Sequence, residues 1–257
     1  MREAIINLLH EAGNIIAGRI HTKKLIDHKS TEVDLVTDVD RQIELFMIRG
    51  LKKLLPGSKF LSEETQSRIK EADKLWVLDP VDGTLNFVHG FPMVCISLAL
   101  QEKGSITRAF IYNPLMSLLF EARRGQGASL NGEKLQVSGK KDLKKCLLAT
   151  GFPYDYADNP DNNLRYFDHF HRKVQGIRRP GSAALDMAYT AAGVFDGFWE
   201  QHLKPWDVAA GILLIREAGG IVSNFDGKPY QFGDKNIVAA NPHLHEIMLN
   251  EINKLRK

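Results

Sequence analysis

The sequence of 257 residues has only two cysteines, Cys95 and Cys146, and each lies within an apolar stretch. This usage indicates two buried free thiols in a reducing cytosol rather than a disulfide, so we expect a cytoplasmic protein. Long apolar runs are also lacking. Among the longest are residues 212–215 and residues 94–100, the second of which is interrupted by Ser97. Because a membrane span needs roughly 20 apolar residues, we expect no transmembrane helix and no membrane partner.

A large excess of charge of one sign is missing as well. The chain carries 34 Lys and Arg against 31 Asp and Glu, a net charge of +3, which is too small to indicate nucleic-acid binding. Basic residues cluster at 140–145 and at Arg178 and Arg179, and we interpret both clusters as solvated surface. We therefore expect no nucleic-acid partner.

Several catalytic and metal-binding motifs are absent. The nine histidines form no HExxH motif, and the two cysteines are far apart in the sequence, so a zinc site has no support. No Gly-x-Ser-x-Gly elbow and no Walker A loop is present, which leaves a serine or cysteine nucleophile without support. The hard cations are the metals that the sequence leaves open.

The composition is that of a globular protein. Apolar residues make up 44% of the chain and charged residues 25%, close to the average for soluble domains. This excludes a disordered, collagen-like or coiled-coil architecture, and the length suits one large domain or two modest ones. Residues 1–13 mix charged and apolar side chains, which indicates an amphipathic helix rather than a signal peptide.

Apolar spacing predicts two parts of different character. Residues 1–141 show helical spacing over 3–20 and 39–55, a polar, turn-like stretch over 29–40, and short apolar runs typical of an antiparallel sheet, at 60–61, 75–78, 94–101, 108–112, 118–122 and 128–130. Residues 142–257 alternate strands, at 146–150, 195–199, 220–223 and 237–240, with helices at 162–173, 182–192, 208–218 and 243–255. We therefore predict an N-terminal α+β part, 1–141, followed by a C-terminal α/β part, 142–257.

Residues 76–84 contain the largest group of candidate functional residues. A predicted buried strand ends there and places Asp79 at its C-terminal end. Pro80 cannot continue a ladder, so we expect the chain to turn there. Asp82 follows, and Gly83 allows close approach of the backbone. Two carboxylates and the Val81 carbonyl are ligands that suit Mg²⁺, and amides at a helix start suit a phosphate. The alternative interpretation is a plain strand-turn-helix in which Asp82 caps the helix.

Acidic residues also precede the second predicted helix. One of Asp34, Asp38 and Asp40 must cap that helix, and the others have no evident structural need. Thr84 opens the segment after the Asp79–Asp82 strand end, and we expect it to cap that segment.

Two further acidic features have ordinary structural explanations. Glu63 and Glu64 follow a short strand, and adjacent acids in such a place are usually solvated. Asp207 begins an apolar helix, where an acid ordinarily caps the helix and interacts favourably with its dipole.

Together, these segments resemble the inositol monophosphatase family of Mg²⁺-dependent, lithium-sensitive phosphatases. The family signature W-x-x-D-P-x-D-G-T-x-N-F matches residues 76–87, and W-D-x-A-A-G-x-x-L-x-x-E-A-G-G matches residues 206–220. Shorter patterns match at 34–40 (D-L-V-T-x-x-D), 63–65 (E-E-[ST]) and 181–188 (G-[ST]-A-A-x-x-x-A). The resemblance runs from about residue 3 to the C terminus. It implies a layered αβαβα sandwich of the inositol monophosphatase and fructose-1,6-bisphosphatase type, and a homodimer.

The resemblance also implies roles for individual residues. Glu63, Asp79 and the Val81 carbonyl would hold a first Mg²⁺, and Asp79, Asp82 and Asp207 a second, with a third ion held loosely near Glu63 through water; Mn²⁺ is an alternative ion. The implied catalytic residues are Asp40, Thr84 and Glu63, of which Asp40 and Thr84 orient and deprotonate the attacking water. The implied phosphate and substrate contacts are Gly83, Thr84, Asp82, Gly181, Ser182, Ala183 and Glu200. Lys29, near the metal-binding loop, and Arg178 and Arg179 are additional candidates.

The implied activity is hydrolysis of inositol 1-phosphate or a related small phosphate. The metal core does not decide the substrate, so NADP(H), fructose 1,6-bisphosphate, adenosine bisphosphates and histidinol phosphate stay open. Glu200 matches a position that contacts an inositol hydroxyl, whereas Arg178 and Arg179 could contact a second phosphate. A regulatory protein that binds RNA or the transcription machinery is the alternative from another class.

Overall fold

The structure is a computed structural model that describes residues 1–28, 35–65, 72–155 and 159–256. Within these ranges the chain forms helices and sheets in five layers, in the order helix, sheet, helix, sheet, helix. The layered αβαβα sandwich is therefore confirmed. Its helices are α1 (Arg2–Arg19), α2 (Asp38–Leu54), α3 (Thr84–His89), α4 (Leu164–His171), α5 (Ala183–Ala191), α6 (Pro205–Glu217) and α7 (Pro242–Lys254).

The first part of the chain builds a small hairpin and a seven-stranded sheet. Its strands are β1 (Ile26–His28) and β2 (Leu35–Thr37) in the hairpin, and β3 (Lys59–Ser62), β4 (Lys74–Asp82), β5 (Cys95–Glu102), β6 (Ser105–Asn113), β7 (Leu118–Arg123), β8 (Ala128–Leu130) and β9 (Glu133–Lys134) in the sheet. Sheet neighbours follow chain order. All pairs are antiparallel except β3 and β4, which are parallel, so the predicted antiparallel sheet is mixed at one edge.

Alternation along β4 explains why this sheet is covered on both faces. Trp76 and Leu78 are buried in the cluster that includes α1 and α2, whereas Leu75 and Val77 are buried in the cluster that includes α5 and α6. Successive side chains of a strand point to opposite faces, so a continuous apolar run fits between two helical layers.

The second sheet has five strands and is built later in the chain. Its strands are β10 (Leu147–Thr150), β11 (Gly176–Arg178), β12 (Gly197–Gln201), β13 (Ile221–Ser223) and β14 (Asn236–Ala240), in the spatial order β11-β10-β12-β14-β13. Phe198 of β12 faces the α5 and α6 layer, and Trp199 faces α4 and α7. The two sheets thus come from residues 59–134 and 147–240, while the division into parts at residue 141 stays a prediction.

Helix α6 is apolar on all sides because it lies between the two sheets. Eight consecutive residues, 208–215, are buried, as expected of a helix without a solvent face. Gly211 allows α5 to approach closely, since a Cβ at this position would lie 2.5 Å from the Cβ of Met187. No helix of the described residues is both long enough and apolar enough to cross a membrane.

Strand β4 corrects the expectation of a turn at Pro80. The strand continues to Asp82, and its pairing with β5 shifts register between Asp79, opposite Ser97, and Asp82, opposite Cys95. Three steps on β4 thus face two on β5, which is a β-bulge. Pro80 lies within this interruption, where its missing N–H costs no ladder bond.

Two helix caps also differ from the predictions. The N-cap of α2 is Thr37, not an acid, and Asp40 completes a capping box by accepting from the Thr37 amide at 2.9 Å. Asp38 instead accepts from Arg19, at 2.9 Å, so this acid has a structural use. The N-cap of α3 is Gly83 in the left-handed region, with φ of 91°, rather than Thr84.

The turn-like stretch predicted over 29–40 is partly corrected. Its residues 35–37 form β2 and pair with β1, and α2 begins at Asp38. Residues 29–34, which include Lys29 and Asp34, lie outside the described residues.

Candidate active site

Most residues that the sequence assigned to the site border one cavity of about 520 Å³. Twelve of the fifteen line it: Glu63, Asp79, Val81, Asp82, Gly83, Thr84, Arg179, Gly181, Ser182, Ala183, Glu200 and Asp207. Asp40 and Arg178 do not line the cavity, and Lys29 lies outside the described residues. The cavity is formed where the end of β4 meets β12 and the first turns of α5 and α6.

The β4 bulge places Asp79 and Asp82 on the same cavity. Asp79 is buried, and its Oδ1 accepts from the Val81 amide at 3.0 Å, which fixes the carboxylate beside the bulge. Asp82 receives its partners from the second half of the chain. Its Oδ2 accepts from the Ser182 hydroxyl and from the Ala184 amide, each at 2.7 Å.

Glu63 and Asp207 reach the cavity from two other elements. Glu63 follows β3, and its amide donates to the Leu78 carbonyl at 3.3 Å, so the parallel pairing of β3 with β4 brings their C-terminal ends together. Asp207 is the third residue of α6, and its Oδ2 accepts from the Lys204 amide at 2.6 Å. Asp207 therefore caps its helix, as its position suggests, and also borders the cavity.

Behind the cavity wall, Thr84 connects to Asp40. The Thr84 hydroxyl lies 3.0 Å from Asp40 Oδ1 and 3.1 Å from the Val81 carbonyl. Asp40 is fully buried and is held by the amide and the hydroxyl of Thr37. A hydroxyl has one proton and two lone pairs, so Thr84 donates to one of these acceptors and can itself accept from the cavity side.

Burial and mutual repulsion act on the acidic side chains. Burial raises the pKa of Asp82 to about 6. The pKa of Asp207 is raised well above its usual range, first by burial and then by the charges of Glu63 and Asp82. A bound cation would reverse both effects, since an opposite charge favours the ionised form.

The donor chemistry fits a hard divalent cation. Four carboxylates and one backbone carbonyl are the oxygen ligands that Mg²⁺ takes, usually with several waters. Among the described residues, no group of three His, Cys, Asp or Glu side chains is arranged to hold an ion as it stands.

Two more buried acids line the same cavity. Glu200, on β12, has a pKa raised to about 8 by burial. Gly151 packs directly on it, because a Cβ there would lie 2.2 Å from Glu200 Oε1. Asp186, on α5, was missed by the sequence analysis. Its pKa is raised by burial and then by Glu200 and Asp82, and its Oδ1 has no hydrogen-bond partner among the described residues.

A sequence signal for Asp186 existed. It is the one charged residue in an otherwise small and apolar helical stretch, residues 183–192. The helix around it is expected to be buried, and a buried acid is rare unless it has a partner or a function. An acid at this position, one turn after the helix start, is therefore a candidate for a functional residue.

The comparison with known proteins settles the family. The model of the inositol monophosphatase family matches residues 1–257. The chain belongs to this family. It is 41% identical to the Nus factor SuhB of Pseudomonas aeruginosa over 98% of this chain and 95% of that protein. It is also 41% identical to the inositol-1-monophosphatase of Synechocystis sp., over 86% of this chain and 77% of that protein.

Solved structures of related proteins have the same fold. The extragenic suppressor protein suhB of Bartonella henselae has a TM-score of 0.90 and 37% identity, and 98% of each chain is covered. A structure described as an IMPase/NADP phosphatase complexed with Mg²⁺ and phosphate has a TM-score of 0.86 and 28% identity, covering 98% of this chain and 94% of that one.

Within this member of the inositol monophosphatase family, Ser182 has a use that the resemblance did not imply. Its hydroxyl donates to Asp82 and accepts from the Leu185 amide at 3.3 Å, so its single proton is engaged with Asp82. The two arginines also separate. Both are exposed, but only Arg179 lines the cavity, and Arg178 donates to the carbonyl of its neighbour Ile177 at 3.2 Å.

Proposed function

We propose that this protein is a Mg²⁺-dependent phosphomonoesterase that hydrolyses a small polyol phosphate, with inositol 1-phosphate as the first candidate. One observation carries the proposal. The buried Thr84–Asp40 pair meets the wall of a cavity that four carboxylates and the Val81 carbonyl also line. A base that can act through a hydroxyl thus lies beside a donor set suited to divalent cations.

The active site would hold two cations and a third, loosely bound one near Glu63. The ligands would be Glu63, Asp79, the Val81 carbonyl, Asp82 and Asp207. Membership of the family and the related structure with Mg²⁺ and phosphate support this assignment. When bound, divalent cations make a nearby water more acidic and offset the charge of the phosphoryl group.

Thr84 and Asp40 would orient the attacking water. The Thr84 oxygen accepts a hydrogen bond from the water while its own proton points to Asp40 Oδ1, 3.0 Å away. Asp40 is well placed to take up the hydroxyl proton of Thr84 as Thr84 takes one from the water, since Thr37 fixes the other oxygen of Asp40. General-base assistance of this kind contributes roughly 10²–10⁴-fold to a rate.

The substrate would lie in this cavity. The first amides of a helix have no intrahelical acceptor, so those of Gly83 and Thr84, at the start of α3, are available to the phosphate. Gly181, Ala183 and Glu200 would face the alcohol part.

Two buried acids that line the cavity, Asp186 and Glu200, support a polyol rather than a second phosphate. Neutral or ionised, a carboxyl group accepts a hydrogen bond from the hydroxyl of a polyol, whereas an ionised one repels phosphate oxygens. Arg179 is the feature that supports the alternative substrates, NADP(H) and fructose 1,6-bisphosphate, because guanidinium groups bind phosphate well.

The test is phosphate release from a panel with Mg²⁺, with EDTA, and with Mg²⁺ added back after EDTA. The panel contains inositol 1-phosphate, fructose 1,6-bisphosphate, NADP⁺, adenosine 3′,5′-bisphosphate and histidinol phosphate. We expect the highest kcat/KM on inositol 1-phosphate, loss of activity with EDTA and recovery with Mg²⁺. No release from any member by folded protein with Mg²⁺, or release that EDTA does not affect, would contradict the proposal.

A second candidate function is a regulatory role in association with RNA or the transcription machinery. Relatives with the name Nus factor favour it, as do the exposed side chains of Lys141, Lys144, Lys145 and Arg178. The test is fluorescence anisotropy of a labelled RNA at low and moderate salt, with wild type and with the double variant K144A/K145A. Binding that the double variant loses would favour this role, and equal binding by both would count against these contacts.

The homodimer implied by the resemblance is part of the proposal as well. Light scattering tests it directly, because a dimer of a 28.9 kDa chain has twice that mass.

A further inference from the structure

The orientation of Asp82 is controlled by residues that lie about 100 positions later in the chain. Asp82 Oδ2 accepts from the Ser182 hydroxyl at 2.7 Å and from the Ala184 amide at 2.7 Å, and the Cys95 thiol lies 3.8 Å away. A carboxylate oxygen has about two lone-pair sites. The donors around Oδ2 therefore satisfy it, and Oδ1 is the oxygen left for a cation.

The Ser182 hydroxyl is fixed in direction. The residue is 2% exposed, and its side-chain oxygen accepts from the Leu185 amide as the N-cap of α5. Because that amide occupies the acceptor side, the hydroxyl proton is directed to Asp82. The same residue thus begins a helix and orients a carboxylate from the other sheet.

We propose that Ser182 is a positioning residue for the metal ligand Asp82, and that it sets the affinity of the site for divalent cations. This inference rests on the proposed function. Residues that hydrogen-bond to metal ligands typically change affinity or activity by 10–100-fold when removed. The Ala184 amide would remain in a Ser182 variant, so we expect about the lower limit of that range.

Three substitutions separate positioning from capping. Ser182→Ala removes both the cap and the bond to Asp82. Ser182→Thr keeps both groups, as the G-[ST]-A-A pattern at residues 181–184 allows. Asn241→Ala is the matched control, because Asn241 caps α7 through the His243 and Leu244 amides, each at 3.0 Å, and does not line the cavity.

The primary measurement is equilibrium binding of Mn²⁺ by electron paramagnetic resonance and of Mg²⁺ by calorimetry, without substrate. Urea unfolding in EDTA and kcat at saturating Mg²⁺ accompany it. We expect Ser182→Ala to weaken cation binding about tenfold, Ser182→Thr to stay within about twofold of wild type, and Asn241→Ala to lose stability without losing affinity.

Two results would overturn the inference, and they differ. If Ser182→Ala loses stability as Asn241→Ala does but binds cations like wild type, Ser182 is only a cap while the proposed phosphatase stands. If wild-type protein binds neither Mn²⁺ nor Mg²⁺, the inference and the proposed function both fail.

Discussion

At the scale of single residues, Thr84 has two separate roles. Its hydroxyl joins the cavity to the buried Asp40, and its backbone begins α3. The family patterns allowed Thr84 and Asp40 to be singled out from the sequence, but the resemblance did not show that Asp40 lies behind Thr84 rather than on the cavity surface. That arrangement depends on contact between residues 44 positions apart.

Removing the Thr84 hydroxyl should affect chemistry more than folding. We expect Thr84→Ala to lower kcat by roughly 10²–10⁴-fold, because the water loses its path to the base. Thr84→Ser keeps the hydroxyl and should retain most of the rate. The measurement is steady-state phosphate release with Mg²⁺, and a Thr84→Ala enzyme as fast as Thr84→Ser would contradict the role.

The pKa of Glu200 predicts how stability depends on pH in EDTA. Burial raises it to about 8, above the roughly 4.3 of an unfolded chain. Between these values the folded state binds more protons, so the contribution of Glu200 is fully present at low pH and is lost as pH rises toward 8. We expect Glu200→Gln to lessen the fall in the free energy of unfolding between pH 5 and pH 8.

Urea unfolding in EDTA at several pH values measures this effect. Asp38→Asn is the control, because hydrogen bonds from Arg19 and the Leu25 amide outweigh the effect of burial and lower the pKa of Asp38. Its contribution is lost only as pH falls through that lowered pKa, so the slope between pH 5 and pH 8 should stay that of wild type. Equal slopes for Glu200→Gln and wild type would refute the effect.

At the scale of elements, long periodic segments were predictable and their ends were less so. The helices predicted over 3–20 and 39–55 are observed as Arg2–Arg19 and Asp38–Leu54. The β4 bulge was not predicted, because proline alone indicates an interruption without showing that pairing resumes after it. Short β9 and β11 depend on neighbouring strands rather than on their own sequence, and so were missed.

Gly83 joins β4 to α3, and a substitution there tests how strictly the backbone of this junction is fixed. Its φ is 91°, and a Cβ would lie 2.6 Å from the Met93 carbonyl oxygen. We expect Gly83→Ala to cost about 2–4 kcal/mol, the sum of left-handed strain and overlap. Gly57→Ala is the matched control, since its φ is 81° and a Cβ there meets nothing within 4 Å.

Strain alone should cost Gly57→Ala about 1–2 kcal/mol. Urea unfolding compares the two variants, and phosphate release shows whether the junction matters for chemistry. We expect activity to fall only in Gly83→Ala. Equal losses of stability in both variants would show that overlap with the Met93 carbonyl does not contribute to the cost.

At the scale of the whole molecule, the site is assembled from both sheets and the helical layer between them. Asp79 and Asp82 come from the seven-stranded sheet, Glu200 from the five-stranded sheet, and Asp207 from α6 between the two. The family patterns identified these residues, but they did not identify Asp186 or the bond from Ser182 to Asp82. The bond is a long-range contact, which local patterns do not encode, whereas Asp186 had a local signal as a charged residue in an otherwise uncharged helical stretch.

The most direct test of the proposed phosphatase activity is kcat for phosphate release from inositol 1-phosphate at saturating Mg²⁺, with wild type beside Asp82→Asn. Asp142→Asn is the control, because Asp142 lies outside the cavity and caps a short turn through the Lys144 amide. Urea unfolding establishes that each variant is folded. We expect Asp82→Asn to lose at least about a thousandfold in kcat and Asp142→Asn to keep the wild-type rate. A folded Asp82→Asn enzyme with a rate near that of wild type would contradict the proposed function.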